Sequence, residues 1–261
     1  MPDWHRALVT GASSGIGEAF ARELAARGTD LVLLARGAER LEKLAVGLRH
    51  RHGVEVEVLA ADLATDAGRR LACERLQAHG EPIDLLINNA GVGTSGAFGD
   101  IARERETQLV ALNVLAVVQL AHSAVATMRP RQHGGVLNVS SLSGLQPYPF
   151  GATYGASKAF VNSFSKALHT ELAGHGVKVL ALCPGFTRTR FQRSAGISRT
   201  PIPRWLWLQP DDVAREGLAA LQAGKAIRVV GAAFRIWAML TKLVPDPMVR
   251  HVLARAGRHR A

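Results

Sequence analysis

The stretch "VTGASSGIGEAF", residues 9–20, decides how the chain is read. A short apolar run, "RALVTG", leads into it. A helical pattern, "GIGEAFARELAARG" (15–28), leaves it, with Phe20 and Leu24 four apart. Three glycines sit at the joint, and each has its own task. Gly11 allows a tight turn, Gly15 lets backbone approach a pyrophosphate, and Gly17 permits close packing of helix on strand. The helix start then offers free N–H groups and partial positive charge to phosphate oxygens. Glycines alone are a weak signal; the strand before and the helix after supply the context a dinucleotide turn needs.

Moving outward, the same alternation repeats. "DLVLLAR" (30–36), "VEVEVLAAD" (54–62), "IDLLINNAG" (83–91), "GVLNVSS" (135–141), "VKVLALCPG" (177–185) and "AIRVVG" (226–231) are short runs rich in Val, Ile and Leu. Most are continuously apolar, as strands covered on both faces must be. Helical patterns separate them: "AERLEKLAVGLRHRHG" (38–53) aligns Leu41, Leu44 and Leu48, and residues 156–176 align Phe160, Phe164 and Leu168. Each pattern closes on glycine. Strand–helix alternation predicts an α/β, Rossmann-type, doubly wound parallel sheet of about seven strands, helices on both faces, in a single domain over 1–231. Residues 186–210 break the rhythm with Pro201, Pro203 and Pro210 beside Trp205 and Trp207, which predicts a substrate lid. Residues 232–261 read as a basic, amphipathic helical extension, with Asp246 and Pro247 as the start of its second helix.

Composition narrows the function classes. The 261 residues carry a formal charge of +11, but eight of the basic residues lie from Lys225 onward against one acid, Asp246. A body this mildly basic argues against a nucleic-acid groove. Two distant cysteines, Cys73 and Cys183, make neither a disulfide framework nor a metal site, so no metal is expected. "MPDWHRALVTGASS" has no secretory h-region, and no apolar run is read as long enough to span a bilayer, so a cytoplasmic protein is expected.

After the second strand, a dinucleotide site that takes NAD places an acid against the adenosine ribose. Here Ala35 stands at that position and Arg36 follows, with Arg40 one turn on. No carboxylate repels a 2′-phosphate there, and a guanidinium can pair with one, so NADP(H) is favoured over NAD(H). "YGASK" (154–158) sets a phenol and an ammonium on one helix face. The ammonium and the cationic nicotinamide of the oxidised cofactor are together expected to lower the phenol's pKa, so that Tyr154 exchanges a proton with a substrate oxygen near neutral pH.

"TGASSGIG", "NNAG" (88–91), Asn113, Ser141, "YGASK" and "PGFTRT" (184–189) arrive in the order of the short-chain dehydrogenase/reductase family, and the chain resembles that family from about residue 6 to 231. The resemblance implies a catalytic set of Asn113, Ser141, Tyr154 and Lys158. Ser141 would hold the substrate oxygen, Lys158 the nicotinamide ribose, and Asn113 a water that links Lys158 to solvent. Ser140 and Ser143 stand close enough to compete with Ser141; the family interval to Tyr154 favours Ser141. The implied cofactor set adds Ser13, Ser14 and Ile16 to the glycine turn, Asp62 and Leu63 at the adenine, and Asn89, Ala90 and Gly91 along the adenosine ribose. Pro184, Gly185, Thr187 and Thr189, at the carboxamide and phosphates, complete it together with Tyr154 and Lys158. The expected activity is NADP(H)-dependent reduction of a ketone or 3-oxoacyl-type carbonyl to a secondary alcohol, in a homodimer or homotetramer. The lid, with Phe191 and its two tryptophans, and the tail suit a lipophilic substrate. Two alternatives use the same fold: a non-catalytic NADP(H) sensor, and a protein that binds a membrane surface through the tail. The tail itself has two readings, a cap or contact at the site mouth and a peripheral membrane element.

Overall fold

The computed structural model describes residues 4–78, 80–194 and 203–240. The second tail helix and lid residues 195–202 lie outside that range. Seven strands form one sheet: β1 (Arg6–Thr10), β2 (Asp30–Ala35), β3 (Val56–Ala60), β4 (Leu85–Asn88), β5 (Gly134–Val139), β6 (Val177–Cys183) and β7 (Ile227–Val229). All neighbours pair in parallel, in the order β3-β2-β1-β4-β5-β6-β7. The order reverses between β1 and β4. In an open parallel sheet, a crevice for ligands opens at that point, outside the strands' carboxyl ends.

Strand side chains alternate between two helical layers, as the two-residue period requires. Ala7, Val9, Leu31, Leu33, Leu85 and Ile87 join the core with α1 (Gly15–Ala26), α2 (Ala38–His52) and α8 (Pro210–Gln222). Leu8, Val32, Leu34, Leu86 and Val136 join the core on the other face, with α3 (Asp66–Gln77) and α5 (Ala116–Met128). Phe164 and Leu168 of α6 (Ala152–Glu171) pack against that second core. Each of these strands is therefore buried on both sides, which is why it reads as a continuous apolar run.

Two expectations need correction. The helix expected over 156–176 runs over Ala152–Glu171. Its N-terminus carries no side-chain cap to announce it, and its C-terminal stop is spread over a turn ending at Gly174 and Gly176, both at positive φ. The apolar segment after β4 is also longer than expected. α4 (Arg103–Val110), a π-helical turn at Ala111–Leu115 and α5 make one helix, Arg103–Met128, long and apolar enough to cross a membrane by length and composition. Leu109, Ala116, Leu120, Ala121, Ala124 and Met128 of this helix are nevertheless fully or nearly buried, and α5 packs on α3, β4 and β5. It is a core helix of the sheet. α7 (Phe191–Ser194) and α9 (Ala232–Leu240) lie beyond β6 and β7.

Candidate active site

The glycine turn follows β1 at the switch point. Gly11 and Gly15 have φ of 66° and 60°, which glycine adopts without strain. Gly17 is fixed by contact instead: a Cβ there would lie 2.4 Å from the Gly11 carbonyl oxygen and 2.5 Å from Asn89 Nδ2. Asn89 braces the turn through its side chain, Nδ2 donating to the carbonyl of Thr10 at 2.9 Å. Thr10 holds the other side. Its hydroxyl accepts from the N–H of Asn89 and of Ala90, both at 2.9 Å, and donates to the Ile87 carbonyl at 3.2 Å. Ser14 starts α1 in extended conformation with no side-chain cap bond, and Ser13, Ser14 and Ile16 are partly exposed along the turn. The backbone of the turn is thus kept bare and close, as pyrophosphate contact requires.

The other expected cofactor residues line the same strand ends. Arg36 and Arg40 are exposed after β2, and neither forms an ion pair among the described residues. Asp62 follows β3 and accepts from the Ala64 N–H at 3.0 Å, while Leu63 is buried beside it. Gly91 follows β4 and faces the catalytic set: a Cβ there would meet Asn113 Oδ1 at 3.1 Å and Lys158 Nζ at 3.5 Å. After β6, the Pro184 carbonyl accepts from the Leu142 N–H, and Thr187 turns its hydroxyl to the Gly185 carbonyl at 3.1 Å. Thr189 touches the glycine turn, its methyl 2.9 Å from where a Cβ on Gly15 would lie. Glycine turn, arginines, Asp62 and the post-β6 loop therefore share one edge of the sheet. That geometry fits an elongated dinucleotide, and no acid stands at Ala35.

Tyr154 and Lys158 sit one turn apart on α6, facing the end of β5. The Ser141 side chain stands close enough to the Tyr154 phenol to lower its pKa. Ser141 Oγ also accepts from the Ser143 N–H at 3.1 Å, which fixes its direction. Ser140 is excluded from this role, since its hydroxyl donates to the Lys158 carbonyl at 2.9 Å and is buried. Lys158 is buried, its Nζ donating to the Val139 carbonyl at 2.9 Å and lying 5.9 Å from the Tyr154 ring centre.

Burial sets the protonation states. It pushes the Tyr154 phenol up to about 12, against the opposing effect of Ser141, with Tyr148 adding a smaller upward push. It pushes the Lys158 amine down to about 8, with the nearby Cys183 acting in the opposite direction. Burial thus carries the phenol upward, and the group that lowers it here is Ser141; the lowering expected of the Lys158 ammonium together with an oxidised nicotinamide concerns the loaded site. Tyr154 is a protonated acid at neutral pH.

Asn113 projects from the π-helical turn and is buried. Its Oδ1 accepts from the Val92 N–H at 3.0 Å; its Nδ2 donates to the Val92 carbonyl at 2.9 Å and to Ser157 Oγ at 3.2 Å. Ser157 in turn donates to the Tyr154 carbonyl at 2.7 Å. The Asn113 side chain thus ties the loop after β4 to the helix that carries Tyr154.

Sequence reasoning missed four contributors. Thr10 and Ser157 are the staples just described. Tyr148 lies edge-on to Tyr154, with ring centres 6.1 Å apart. Asn162, two turns beyond Tyr154, donates from Nδ2 to the Gly144 carbonyl at 3.0 Å and accepts from Cys183 Sγ at 3.2 Å. Phe191, expected as an apolar lid residue, also belongs to the site: its ring packs 5.6 Å from that of Tyr154. A threonine closing β1 just before the glycines was a readable signal; the others depend on loop paths that no spacing encodes.

The family model described as short chain dehydrogenase matches residues 5–199. The chain belongs to the short-chain dehydrogenase family. Among curated members, it is 35% identical over 193 residues to the very-long-chain 3-oxoacyl-CoA reductase of Anas platyrhynchos, covering 72% of this chain and 61% of that one. The chain thus spans about three fifths of that relative's length. Among solved structures, a short-chain dehydrogenase from Sphingobium yanoikuyae in complex with NADPH superposes with TM-score 0.83 at 36% identity, covering 91% of this chain and 92% of the other. The bulky-bulky ketone specific alcohol dehydrogenase from Comamonas testosteroni gives TM-score 0.80 at 32% identity, over 91% of each chain. The seven-stranded parallel sheet of this chain is the Rossmann-type fold that those solved structures share.

Proposed function

We propose that this chain uses NADPH to reduce a ketone or 3-oxoacyl-type carbonyl on a lipophilic substrate to a secondary alcohol. The observation that carries the reading is Tyr154 and Lys158 one turn apart on α6, with Nζ 5.9 Å from the phenol ring and on the Val139 carbonyl, at the strand ends that bear the glycine turn. NADPH, when bound, supplies the hydride. Tyr154 supplies the proton to the developing alkoxide, and Ser141 orients that oxygen by a second hydrogen bond. Lys158, under the Gly91 backbone, would hold the ribose next to the reacting ring. Asn113 keeps Gly91 and α6 in register through Val92 and Ser157.

Arg36, with Ala35 before it, supports the phosphorylated cofactor, and the NADPH complex of the Sphingobium relative agrees with that choice. The aromatic surroundings support an apolar substrate: Tyr148 and Phe191 flank Tyr154, and Phe186 packs on Trp207 and Phe234. Those contacts and the 3-oxoacyl-CoA and ketone relatives point to the same substrate class. Exposed Val110 and Leu115 on the α4–α5 helix and Phe160 on α6 support a homo-oligomer. Two unpaired thiols, Cys73 and Cys183, suit a reducing, cytoplasmic compartment. We read residues 1–231 as one domain.

A direct test is NADPH consumption over a panel of ketones and 3-oxoacyl thioesters of increasing chain length, with NADH as comparison. The reading requires NADPH preference and efficiency that rises with apolar length. Preference for short polar carbonyls would remove the lipophilic part, and absence of turnover over the whole panel would remove the reductase.

A further inference from the structure

α9 presents an unusual outer surface. Only Phe234 and Ala238, one turn apart, are buried on it. Ala232, Ala233, Ile236, Trp237, Met239 and Leu240 are all exposed, with Ile236 at 60%, Met239 at 69% and Leu240 at 56%. At a helical step of about 100° per residue, these six occupy one continuous arc of roughly 160°. No polar side chain interrupts it. The helix's one cation, Arg235, sits at the edge of the arc and is paired with Glu216 at 2.7 Å, a carboxylate that Arg228 also engages at 2.6 Å. An apolar face of this breadth on a surface helix marks a contact surface.

Position and charge say what covers it. Inward, Phe234 packs against Gly185 so closely that a Cβ on that glycine would lie 2.2 Å from the ring. Phe234 also meets Phe186, which meets Trp207. Two residues before Trp207, Trp205 is 74% exposed. α9 therefore lies against the post-β6 segment that leads to Phe191 and Tyr154. The 21 residues after Leu240 carry Lys242, Arg250, Arg255, Arg258 and Arg260 against the single acid Asp246. A second copy meeting this face would bring the same excess of positive charge against itself, whereas an anionic bilayer offers both an apolar layer and the opposite sign.

We propose that the outer arc of α9 docks the enzyme on an anionic lipid surface, from which a bilayer-dissolved carbonyl substrate enters past Phe234 and Phe186. The entry step rests on the reductase reading above; the docking step does not. Tryptophan and branched apolar side chains seat in the headgroup boundary, and the cations add an attraction that salt screens.

Cosedimentation of the full-length protein with phosphatidylcholine vesicles, with and without phosphatidylglycerol, tests docking without any assay of activity. The protein should pellet with anionic vesicles, be released by salt, and bind roughly tenfold or more weakly as the I236E/M239E variant. That variant should keep NADPH binding and turnover of a water-soluble ketone while losing the stimulation by anionic vesicles of turnover on a bilayer-partitioned one. If the double variant does not fold, docking should still show as quenching of wild-type tryptophan fluorescence by brominated lipid, reduced in W237F. No binding to anionic vesicles, equal binding by the variant, no quenching, or a wild-type dimer that the variant dissociates would each overturn the proposal. Docking without turnover would sink the reductase and leave the surface standing.

Discussion

Replacing Lys158 with methionine should make the cofactor-free protein more stable at neutral pH. The side chain is 6% exposed, and burial brings its amine from 10.5 down to about 8. At about 1.36 kcal/mol per pKa unit, a charged Lys158 costs the fold about 3 kcal/mol. Methionine removes that cost and fills similar volume, but it takes away the donor that Val139 O accepts from, a loss of about 1–2 kcal/mol. The net expectation is a gain of about 1–2 kcal/mol at pH 7. The sign of the pH dependence follows from the depressed value. Below about 8 both folded and unfolded states hold the proton, and the penalty is complete. Between about 8 and 10.5 the unfolded state binds more protons than the folded one, so wild-type stability rises relative to K158M and the penalty is gone above that window. Urea unfolding of both proteins without cofactor at pH 7 and pH 10 measures it. A K158M protein less stable than wild type at pH 7, or a difference that ignores pH, would refute the claim that Lys158 is a strained buried cation held for function.

Three more substitutions or conditions probe single contacts. Gly17→Ala drives a methyl into the Gly11 carbonyl and Asn89; it should cost about 1–3 kcal/mol of stability and weaken NADPH binding measured by fluorescence titration. Arg36→Ala should raise the KM for NADPH roughly tenfold while leaving that for NADH nearly unchanged, since a charged pair contributes on the order of 1.5–3 kcal/mol. Alcohol oxidation needs the Tyr154 phenolate, and the phenol is pushed up to about 12, so oxidation should quicken steadily as pH rises while reduction stays flat through neutrality. Equal pH profiles in both directions would contradict that assignment.

The sheet was legible because β1, β2, β4, β5 and β6 are buried on both faces and spell themselves out as apolar runs, and "VEVEVLAAD" and "AIRVVG" located β3 and β7 in spite of their partial exposure. The glycine turn was legible because a methyl at Gly17 has nowhere to go. Tyr154 and Lys158 were legible because four residues is one helical turn. The rest depends on tertiary context. Nothing local marks Ala152 as a helix start, since Gly151 supplies no capping side chain. Leucine-rich "ALNVL" gives no hint that the helix widens there to seat Asn113 against Val92. Asn162 reads as a polar residue of a solvent face and is in fact 5% exposed, joining Cys183 to the Ser141 loop. The burial that raises the Tyr154 phenol is likewise a property of the packed site, which spacing does not encode.

The proposed reaction requires that Tyr154 donate the proton and contribute little to holding the cofactor. Single-turnover NADPH oxidation by Tyr154→Phe, with NADPH affinity measured on the same sample, separates the two. The variant should bind NADPH within about threefold of wild type and lose turnover by roughly 10²-fold or more. Turnover retained within about tenfold of wild type, with NADPH bound normally, would move the proton to another group.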